Sequence, residues 1–398
     1  KEAVDYFHPL GIPVEAELGH VGNETVYEEA LAHYQYTNPE QAAEFVERTK
    51  CDSLAVAIGN QHGVYTSAPK LNFEVIKKVR EAVSIPLVLH GASGISDDDI
   101  RQAIDLGIAK INIHTELCLA AMEAIQINTD QPFLHVEREV RTAVKKRALE
   151  KIYLLAKNHN DLESKISLYQ FFASSYWHNY SNSFAHLRLE KDLIALSEEI
   201  ISSDCDNKYE DDHILHIMTE AYLIGGHTRV VDNWIKSVNG KHSVILNNPY
   251  SLQPSFLVES VKSKKGKIII NDNVGFVAKA NFLFKIASHF KYVVLHHHPH
   301  DILPLLAFGT KKFSRPIFFY NHADHVWGCG YSVSDKIIEL SKNGIKHSNK
   351  YRGIPINRII FGGIPIEFET HPSFEICKKN KKYIVTMASS YKFHPIKD

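Results

Sequence analysis

The sequence predicts an α/β protein made of two consecutive strand–helix series. In both series, short apolar runs alternate with stretches of helical periodicity, a pattern typical of parallel sheets packed against helices. The 398 residues exceed an ordinary domain of about 100–200 residues. The net charge of −1 is unevenly spread, because residues 1–155 carry −8 and the remaining residues +7. Together these observations predict two α/β parts that meet near residue 155.

The composition argues against several classes of protein. No apolar run reaches the roughly 18–20 residues of a membrane span, and the second part is too weakly basic for a nucleic-acid surface. The five cysteines are far apart and odd in number, which argues against a disulfide framework or a cysteine zinc site. We therefore expect a cytoplasmic protein that binds no nucleic acid and spans no membrane. The chain opens without a secretory signal and without Met, which indicates a fragment or a processed chain.

Four apolar runs predict the strands of the first part, and three periodic stretches predict its helices. The predicted strands are 12–18, 53–59, 85–91 and 109–115. The predicted helices are 38–49, 72–83 and 96–107, and each begins with Asn or Ser at the N-cap position. The strands are apolar through most of their length, as buried parallel strands should be.

Polar residues gather where these strands end. Glu15 and Glu17 close the first run, His62 follows the second, and His90 closes the third. In α/β barrels the functional site lies at the carboxyl ends of the strands, and two imidazoles there can share a Zn²⁺ ion. The alternative is that each histidine is a hydrogen-bonded barrel residue, and spacing alone leaves both interpretations open. The turn from His90 to Ile95 can bind a phosphate through its backbone, or it can be an ordinary βα turn.

At these residues the sequence resembles a known family. The segments VEAELGHVG, AVAIGNQHGVY, PKLNFEVIKKVR, VLHGASGIS and KINIHTEL resemble the class II, zinc-dependent ketose-bisphosphate aldolases, most closely the tagatose/fructose-bisphosphate branch. Residues 131–152 are similar to that family's C-terminal helix. The resemblance extends from the N-terminus to about residue 155. It implies about four βα units of a (β/α)₈ TIM barrel.

The resemblance also implies a lyase of carbohydrate metabolism, as in glycolysis. Such an enzyme reversibly cleaves a phosphorylated ketose into dihydroxyacetone phosphate and an aldehyde, with Zn²⁺ polarising the carbonyl. His62 and His90 match two of the three zinc-binding histidines, and Glu17 matches a carboxylate that can hold a second or displaced metal. The positions that match the substrate-binding segments are Gly63, Gly91, Ala92, Ser93, Asn112, Ile113, His114 and Thr115.

The sequence departs from the family at several points. The family's first zinc histidine and catalytic aspartate fall before Lys1, and His114 stands where related sequences carry a small or acidic residue. In the family, a loop glutamate serves in proton transfer. In this sequence the candidates for that role are Glu24, Glu28 and Glu29. We therefore expect no aldolase activity and weak zinc affinity from this segment alone, unless a second chain supplies the missing part. The open strand edges lead us to expect a homo-oligomer.

The second part begins with a helical segment and a linker over 156–211. A new series of strands is then predicted at 213–219, 242–248, 266–272, 292–298 and 315–322. Residues 336–341 are ambiguous between strand and helix, 358–366 contain a late strand, and 381–395 begin another. This pattern predicts a Rossmann-like parallel sheet over 212–380 and the start of a second such domain over 381–398.

Polar residues again follow the predicted strands. Gly225 and Gly226 precede a helix and can bind a phosphate or a sugar, although a plain turn explains them as well. Four histidines (His296, His297, His298 and His300) follow one strand. A metal site there is disfavoured, because neighbouring strand residues point to opposite faces. We expect these histidines to line a cleft, with His322 or His325 as a general base beside Asp324.

The segments GGHTRVVDNWI, FYNHADHVWGCGYSVSD and YIVTMASSYKFHP resemble the GT-B glycosyltransferases, which use nucleotide sugars. The covered portion corresponds to their N-terminal acceptor-side domain. We expect this sequence to include only the first strand of the donor domain, which in that family contributes most nucleotide-sugar contacts. The leading hypothesis is a zinc-dependent aldolase, incomplete in this chain. The alternatives are a glycosyltransferase and a non-catalytic chimeric fusion of the two.

Overall fold

The computed structural model describes residues 1–19, 35–178, 183–206 and 208–364. The chain divides into two compact units, Lys1–Ser181 and Asn182–Asp398, called unit 1 and unit 2 below. Within the described residues, no helix is long and apolar enough to cross a membrane.

Unit 1 begins with strands and helices in alternation. Its elements are α1 (Glu2–Phe7), a 3₁₀ turn (His8–Leu10), β1 (Glu15–Leu18), α2 (Pro39–Thr49), β2 (Ser53–Val56), α3 (Phe73–Ala82), β3 (Leu87–Leu89), α4 (Asp97–Asp105) and β4 (Ile108–Ile111). Three helices follow: α5 (Thr115–Ile127), α6 (Phe133–Asn158) and α7 (Leu162–His178). The strands form one parallel sheet in the order β1-β2-β3-β4.

The local sequence explains where these elements begin and what they bury. The side chains of Asn38 and Ser96 accept hydrogen bonds from the backbone amides of Gln41 and Asp99, which caps α2 and α4. Asn72 stands at the cap position of α3 without such a bond. The apolar faces of these helices and the central strands form one core. Its fully buried members include Leu54, Ile76, Leu87, Leu89 and Ile100.

Unit 2 contains a longer strand–helix series. Its elements are α8 (Leu187–Ile200), β5 (Glu210–Met218), α9 (Gly226–Ser237), β6 (Lys241–Leu246), α10 (Ser255–Ser263), β7 (Ile268–Ile270), α11 (Phe276–Ala287), β8 (Phe290–His296), α12 (Leu303–Phe308), β9 (Ile317–Asn321), β10 (Lys336–Glu339), α13 (Lys342–Lys350), a 3₁₀ turn (Ile356–Arg358) and β11 (Ile359–Phe361).

The unit 2 strands form one parallel sheet in the order β11-β10-β9-β8-β5-β6-β7. Counted within the unit, this is the order 7-6-5-4-1-2-3, which places the first and fourth strands side by side. The chain therefore winds outward in both directions from the β5–β8 pair. In such doubly wound sheets, ligands bind outside the carboxyl ends of the strands at this reversal.

The structure confirms the α/β class with parallel sheets. The ambiguous stretch 336–341 contains β10, and β5 starts at Glu210, inside the segment expected to be a linker. The stretch 381–395 lies outside the described residues. The domain boundaries inferred from the sequence stay a prediction, and so does the assignment of the first sheet to a barrel.

Candidate functional site

Three side chains converge at the carboxyl ends of adjacent strands in unit 1. Glu17 lies near the end of β1, His62 follows β2, and His90 follows β3. One ligand atom from each lies within 4.8 Å of the others, and among the described residues this is the group that could hold a metal ion. The parallel order β1-β2-β3 produces the convergence, because it brings these strand ends to one edge of the sheet. Glu17 and His62 are exposed, and His90 is half-buried.

His90 lies between two carboxylates. Its Nδ1 is 2.8 Å from Glu17 Oε2, and its Nε2 is 3.0 Å from Glu15 Oε1. Lys110 Nζ is 2.7 Å from the other oxygen of Glu15. Partial burial acts to raise the pKa of Glu15, but the hydrogen bonds and charges of Lys110 and His90 outweigh it and lower the pKa. Glu15 is therefore held as an anion that fixes the orientation of the His90 ring.

The turn after His90 is tied to the turn after β2. Asn60 donates its side-chain N–H to the carbonyl of His90 (2.9 Å), and the Tyr65 hydroxyl donates to the carbonyl of Gly91 (2.9 Å). Gly91 has φ +60°, and a Cβ there would lie 2.0 Å from the carbonyl oxygen of Gln61. Only glycine fits this close approach. The two histidine-bearing turns are thus packed as one block.

The two segments expected to bind a phosphate lie against each other. The Ala92 amide donates to the Asn112 carbonyl (3.3 Å), and the Glu116 amide donates to Ser93 Oγ (3.1 Å). Ala92 and Ser93 are buried, whereas His114 occupies the N-cap position of α5 without a side-chain cap bond. Gly63, also expected to contact substrate, has φ +95° in the turn that carries His62. These segments surround the start of α5, a helix terminus suited to an anion.

This geometry agrees with a comparison of the sequence with protein families. Residues 1–160 match the model for class-II fructose-bisphosphate aldolases. Over these residues, unit 1 thus resembles a class-II aldolase.

Two comparisons concern the same relative of this domain. The chain is 83% identical over 154 residues to the uncharacterized protein YdjI of Escherichia coli (strain K12), a match that covers 39% of this chain and 55% of YdjI. The crystal structure of the YdjI aldolase from Escherichia coli K12 is 72% identical, with a TM-score of 0.33 over 38% of this chain and 52% of that one. The chain therefore spans about half the length of this relative.

A third comparison reaches into unit 2. A mutant O-GlcNAc transferase from Thermobaculum terrenum is 8% identical, with a TM-score of 0.34 over 73% of this chain and 53% of that chain.

The donor set of Glu17, His62 and His90 fits a divalent metal. Two imidazoles and a carboxylate are the ligand types that Zn²⁺ takes in catalytic sites. Glu17 lies at Nδ1 of His90, so this nitrogen faces one of the other two ligands, and Nε2 contacts Glu15. A histidine that ligates a metal through one nitrogen and bonds a carboxylate through the other has a fixed ring orientation and raised basicity.

In unit 2 the structure brings together only part of the predicted site. His322 Nε2 is 2.9 Å from His296 Nδ1. Asp324 accepts a hydrogen bond from Ser341 (2.8 Å) and lies 3.3 Å from His325 Nδ1, and no contact joins it to His322 in the described part of the chain. His297 bonds the Cys329 carbonyl at 2.9 Å. Gly225 and Gly226 begin α9 with open space where a Cβ would project.

Sequence reasoning missed some residues, and others cannot be placed. Glu24, Glu28 and Glu29 lie outside the described residues. The positioning role of Glu15 and its pairing with Lys110 were not foreseen, although Glu15 and Glu17 alternate on one strand and therefore share a face. His216 and His242 were not singled out either. Nε2 of His216 lies 2.9 Å from Nδ1 of His242, a contact that depends on strand pairing and that a single sequence does not reveal.

Proposed function

We propose that unit 1 is the metal- and phosphate-binding part of a zinc-dependent class-II ketose-bisphosphate aldolase. The observation that carries this proposal is the convergence of Glu17, His62 and His90 at three adjacent strand ends in a domain that matches the family model. The substrate class is a phosphorylated ketose, which is cleaved to dihydroxyacetone phosphate and an aldehyde. Four parallel strands in sequential order are also the arrangement of consecutive strands in a (β/α)₈ barrel.

Each group has a separate task in this proposal. A bound Zn²⁺ supplies Lewis-acid polarisation of the ketone and stabilises the negative charge that develops on its oxygen. Glu15 holds the His90 ring in its ligating orientation. The turn from Gly91 to Ser93 and the segment from Asn112 to Thr115 bind the phosphate near the N-terminus of α5.

Metal binding tests the proposal directly. We expect the full chain to bind zinc, measured by calorimetry and by metal analysis after dialysis, and to lose this binding in His62→Ala and in His90→Ala. His135→Ala is the matched control, because His135 lies on α6, where it contacts Arg138. Zinc binding that survives both site variants would contradict the proposal.

Substrate binding and turnover form the second test. We expect dihydroxyacetone phosphate to bind only to the zinc-loaded chain, with weaker binding in Ser93→Ala. We expect no turnover of fructose or tagatose bisphosphate by this chain alone, because the described metal group holds two histidines where the family has three. Zinc-independent binding of dihydroxyacetone phosphate would separate the phosphate site from the metal site and refute their joint role.

A glycosyltransferase function for unit 2 is the second candidate. The reversal of strand order at β5 and β8, next to Gly225 and Gly226 at the start of α9, favours a ligand that carries phosphate or sugar groups. We expect nucleotide sugars such as UDP-glucose to raise the unfolding temperature of unit 2. An unchanged unfolding temperature across a panel of nucleotide sugars would count against this candidate. We further propose that the protein is cytoplasmic and forms a homo-oligomer. Sedimentation of the purified chain would test the oligomeric state.

A further inference from the structure

Four histidines of unit 2 form a continuous hydrogen-bonded row across the sheet. His242 lies on β6, His216 on β5, His296 on β8, and His322 directly after β9. The Nδ1 of His242 is 2.9 Å from Nε2 of His216, and the Nδ1 of His216 is 3.0 Å from Nε2 of His296. The Nδ1 of His296 is 2.9 Å from Nε2 of His322. Each contact joins the Nδ1 of one ring to the Nε2 of the next.

The first three histidines of the row are inaccessible to solvent. His216, His242 and His296 are fully buried. The Trp234 ring of α9 packs edge-on against His216 and His296, with ring centroids 5.8 and 5.7 Å apart. Burial lowers the pKa of all four imidazoles, most strongly those of His216, His296 and His322. Each ring is therefore neutral and carries a single N–H.

The contact of His242 at one end of the row determines which ring donates and which accepts in each hydrogen bond of the row. Nε2 of His242 is 3.2 Å from the Val238 carbonyl oxygen, which can only accept, so its N–H is used there. Its Nδ1 must then accept the N–H from Nε2 of His216. The same reasoning carried along the row makes His296 donate to His216 and His322 donate to His296. The N–H of His322 is thus on Nε2, and its Nδ1 is left as an acceptor.

Nδ1 of His322, the hydrogen-bond acceptor at the far end of the row, has a second imidazole acceptor, that of His227, nearby. Nδ1 of His322 makes no hydrogen bond within the described part of the chain, and the residue is half-buried. His227, at the start of α9, donates from Nε2 to the His296 carbonyl (2.5 Å), so its Nδ1 is also an acceptor. That atom is buried and unpartnered among the described residues. The two rings are 4.3 Å apart, centroid to centroid.

We propose that His322 and His227 form a binding site at the carboxyl edge of the unit 2 sheet for a ligand with neighbouring hydroxyl groups, and that His242, His216 and His296 act as positioning residues that fix the tautomer of His322. The two acceptor nitrogens match the O–H donors of such a ligand. A metal is the less favoured occupant. Among the described residues, the side chains that are close enough to hold a metal ion in a group of three are those of unit 1, and His322 and His227 do not belong to that group. This inference is independent of the aldolase proposal and rests on the sugar-binding candidate proposed for unit 2, although the tautomers can be measured without any sugar.

The tautomers can be measured in the unaltered chain. We expect long-range ¹H–¹⁵N spectra of ¹⁵N-histidine-labelled protein at pH 7.5 to show the Nε2–H pattern for His322, His296, His216, His242 and His227. His322→Asn and His227→Asn assign the two site resonances. A proton on Nδ1 of His322 in the native chain would overturn the proposal, and this measurement does not depend on the folding of any further variant.

A matched pair of variants tests whether the row fixes the tautomer. His242→Gln keeps an acceptor for His216 and a donor for the Val238 carbonyl, so we expect His322 to retain the Nε2–H pattern. His242→Leu removes both groups and allows the row to reverse, so we expect a large loss of that pattern at His322. An identical His322 spectrum in folded His242→Leu would show that the row has no positioning role.

A matched pair of sugars tests the ligand class. We expect methyl α-glucopyranoside to shift the ¹⁵N resonances of Nδ1 in His322 and His227, and we expect its fully O-methylated counterpart, which lacks O–H donors, to leave them unchanged. Equal shifts with both sugars, or no shift with either, would refute a hydroxyl-binding site. Broadening of these resonances by stoichiometric Zn²⁺ without a sugar response would assign the nitrogens to a metal instead.

Discussion

At the scale of single residues, the metal site proposed for unit 1 depends on the environment of His90. This imidazole contacts Glu17 on one side and Glu15 on the other, and Lys110 neutralises part of the charge of Glu15. A metal-ligating ring that is free to rotate loses affinity, because the correct orientation must be restored at each binding event. Glu15 removes that freedom without lying in the metal-binding group itself.

The role of Glu15 leads to a first prediction. Glu15→Gln removes the negative charge at Nε2 of His90, so we expect zinc affinity to fall by about 10- to 100-fold. Calorimetric titration with Zn²⁺ measures the change. The control is Glu40→Gln, since Glu40 is exposed in the first turn of α2. Equal zinc affinity in Glu15→Gln and the native chain, while His90→Ala binds none, would exclude the positioning role.

At the scale of elements, the β3–α4 turn and the helix that follows it place the site. The turn brings His90 to the strand end and then passes so close to Gln61 that residue 91 has no room for a side chain. Ser96 then starts α4, whose buried face contributes Ile100 and Ala103 to the core. Turn geometry, capping and core packing therefore act on the same short segment, residues 90–103.

Gly91→Ala is predicted to disrupt this turn. The new Cβ meets the Gln61 carbonyl and the backbone has φ +60°, so we expect a loss of stability of more than about 1 kcal/mol together with weakened zinc binding. Thermal unfolding and zinc titration provide the two readouts. Gly226→Ala is the matched control, because a Cβ there meets nothing within 4 Å. A Gly91→Ala chain as stable as the control would show that the turn can relax.

Ser96→Ala tests the contribution of the cap alone. Loss of the hydrogen bond from the Asp99 amide to Ser96 Oγ (3.1 Å) should cost about 1 kcal/mol. Hydrogen exchange followed by mass spectrometry should show reduced protection in peptides covering α4. Ser84→Ala, at an exposed position outside the helices, should leave the exchange unchanged. Unaltered protection in Ser96→Ala would mean that packing, and not the cap, determines where α4 begins.

At the scale of the whole molecule, the buried histidines of the described residues lie in unit 2. Unit 2 encloses neutral imidazoles throughout its sheet, including His213, whose pKa burial lowers to about 4. Burial also lowers the pKa of His216, His296 and His322 well below the ordinary value of about 6.5. These rings stay neutral in the folded state and take up protons when the unit unfolds.

The stability of unit 2 is therefore predicted to fall on acidification. Because the folded-state pKa values are depressed, stability is fully present above pH 6.5 and is lost as the pH falls from about 6.5 toward 4. The slope is about 1.4 kcal/mol per pH unit for each proton taken up on unfolding. The measurement is urea unfolding of Trp177→Phe, followed by tryptophan fluorescence. This variant keeps Trp234 and Trp327 as the tryptophans of the chain, and both lie in unit 2, so the fluorescence reports on that unit.

The control for this prediction is a variant that contains one buried imidazole fewer. Adding His242→Gln to Trp177→Phe removes one buried imidazole and should make the pH dependence shallower, because burial lowers the pKa of His242. A stability of unit 2 that is equal at pH 7.5 and pH 5 would contradict the assignment of neutral, buried rings.

The sequence by itself determined the α/β class, most of the strands and two of the helix caps. Local patterns suffice for these features, since apolar runs, periodicity and cap residues act over a few neighbouring positions. It also identified His62 and His90 as a candidate metal pair, because residues at successive strand ends of a parallel sheet meet at one edge. The family resemblance added Glu17 as a carboxylate for a second or displaced metal. The ambiguity at 336–341 remained because a short apolar run fits a buried strand and a buried helix equally well.

Only the tertiary structure decided which side chains touch. The contacts of His90 with Glu15 and Glu17 span about 75 residues of sequence, and the contact of His216 with His296 spans 80. Strand order and register set such distances, and neither is encoded in any local segment. The reversal of strand order at β5 and β8 likewise appears only once the sheet is assembled. The sequence therefore determined the elements and the chemistry available, and the packing of those elements decided which groups act together.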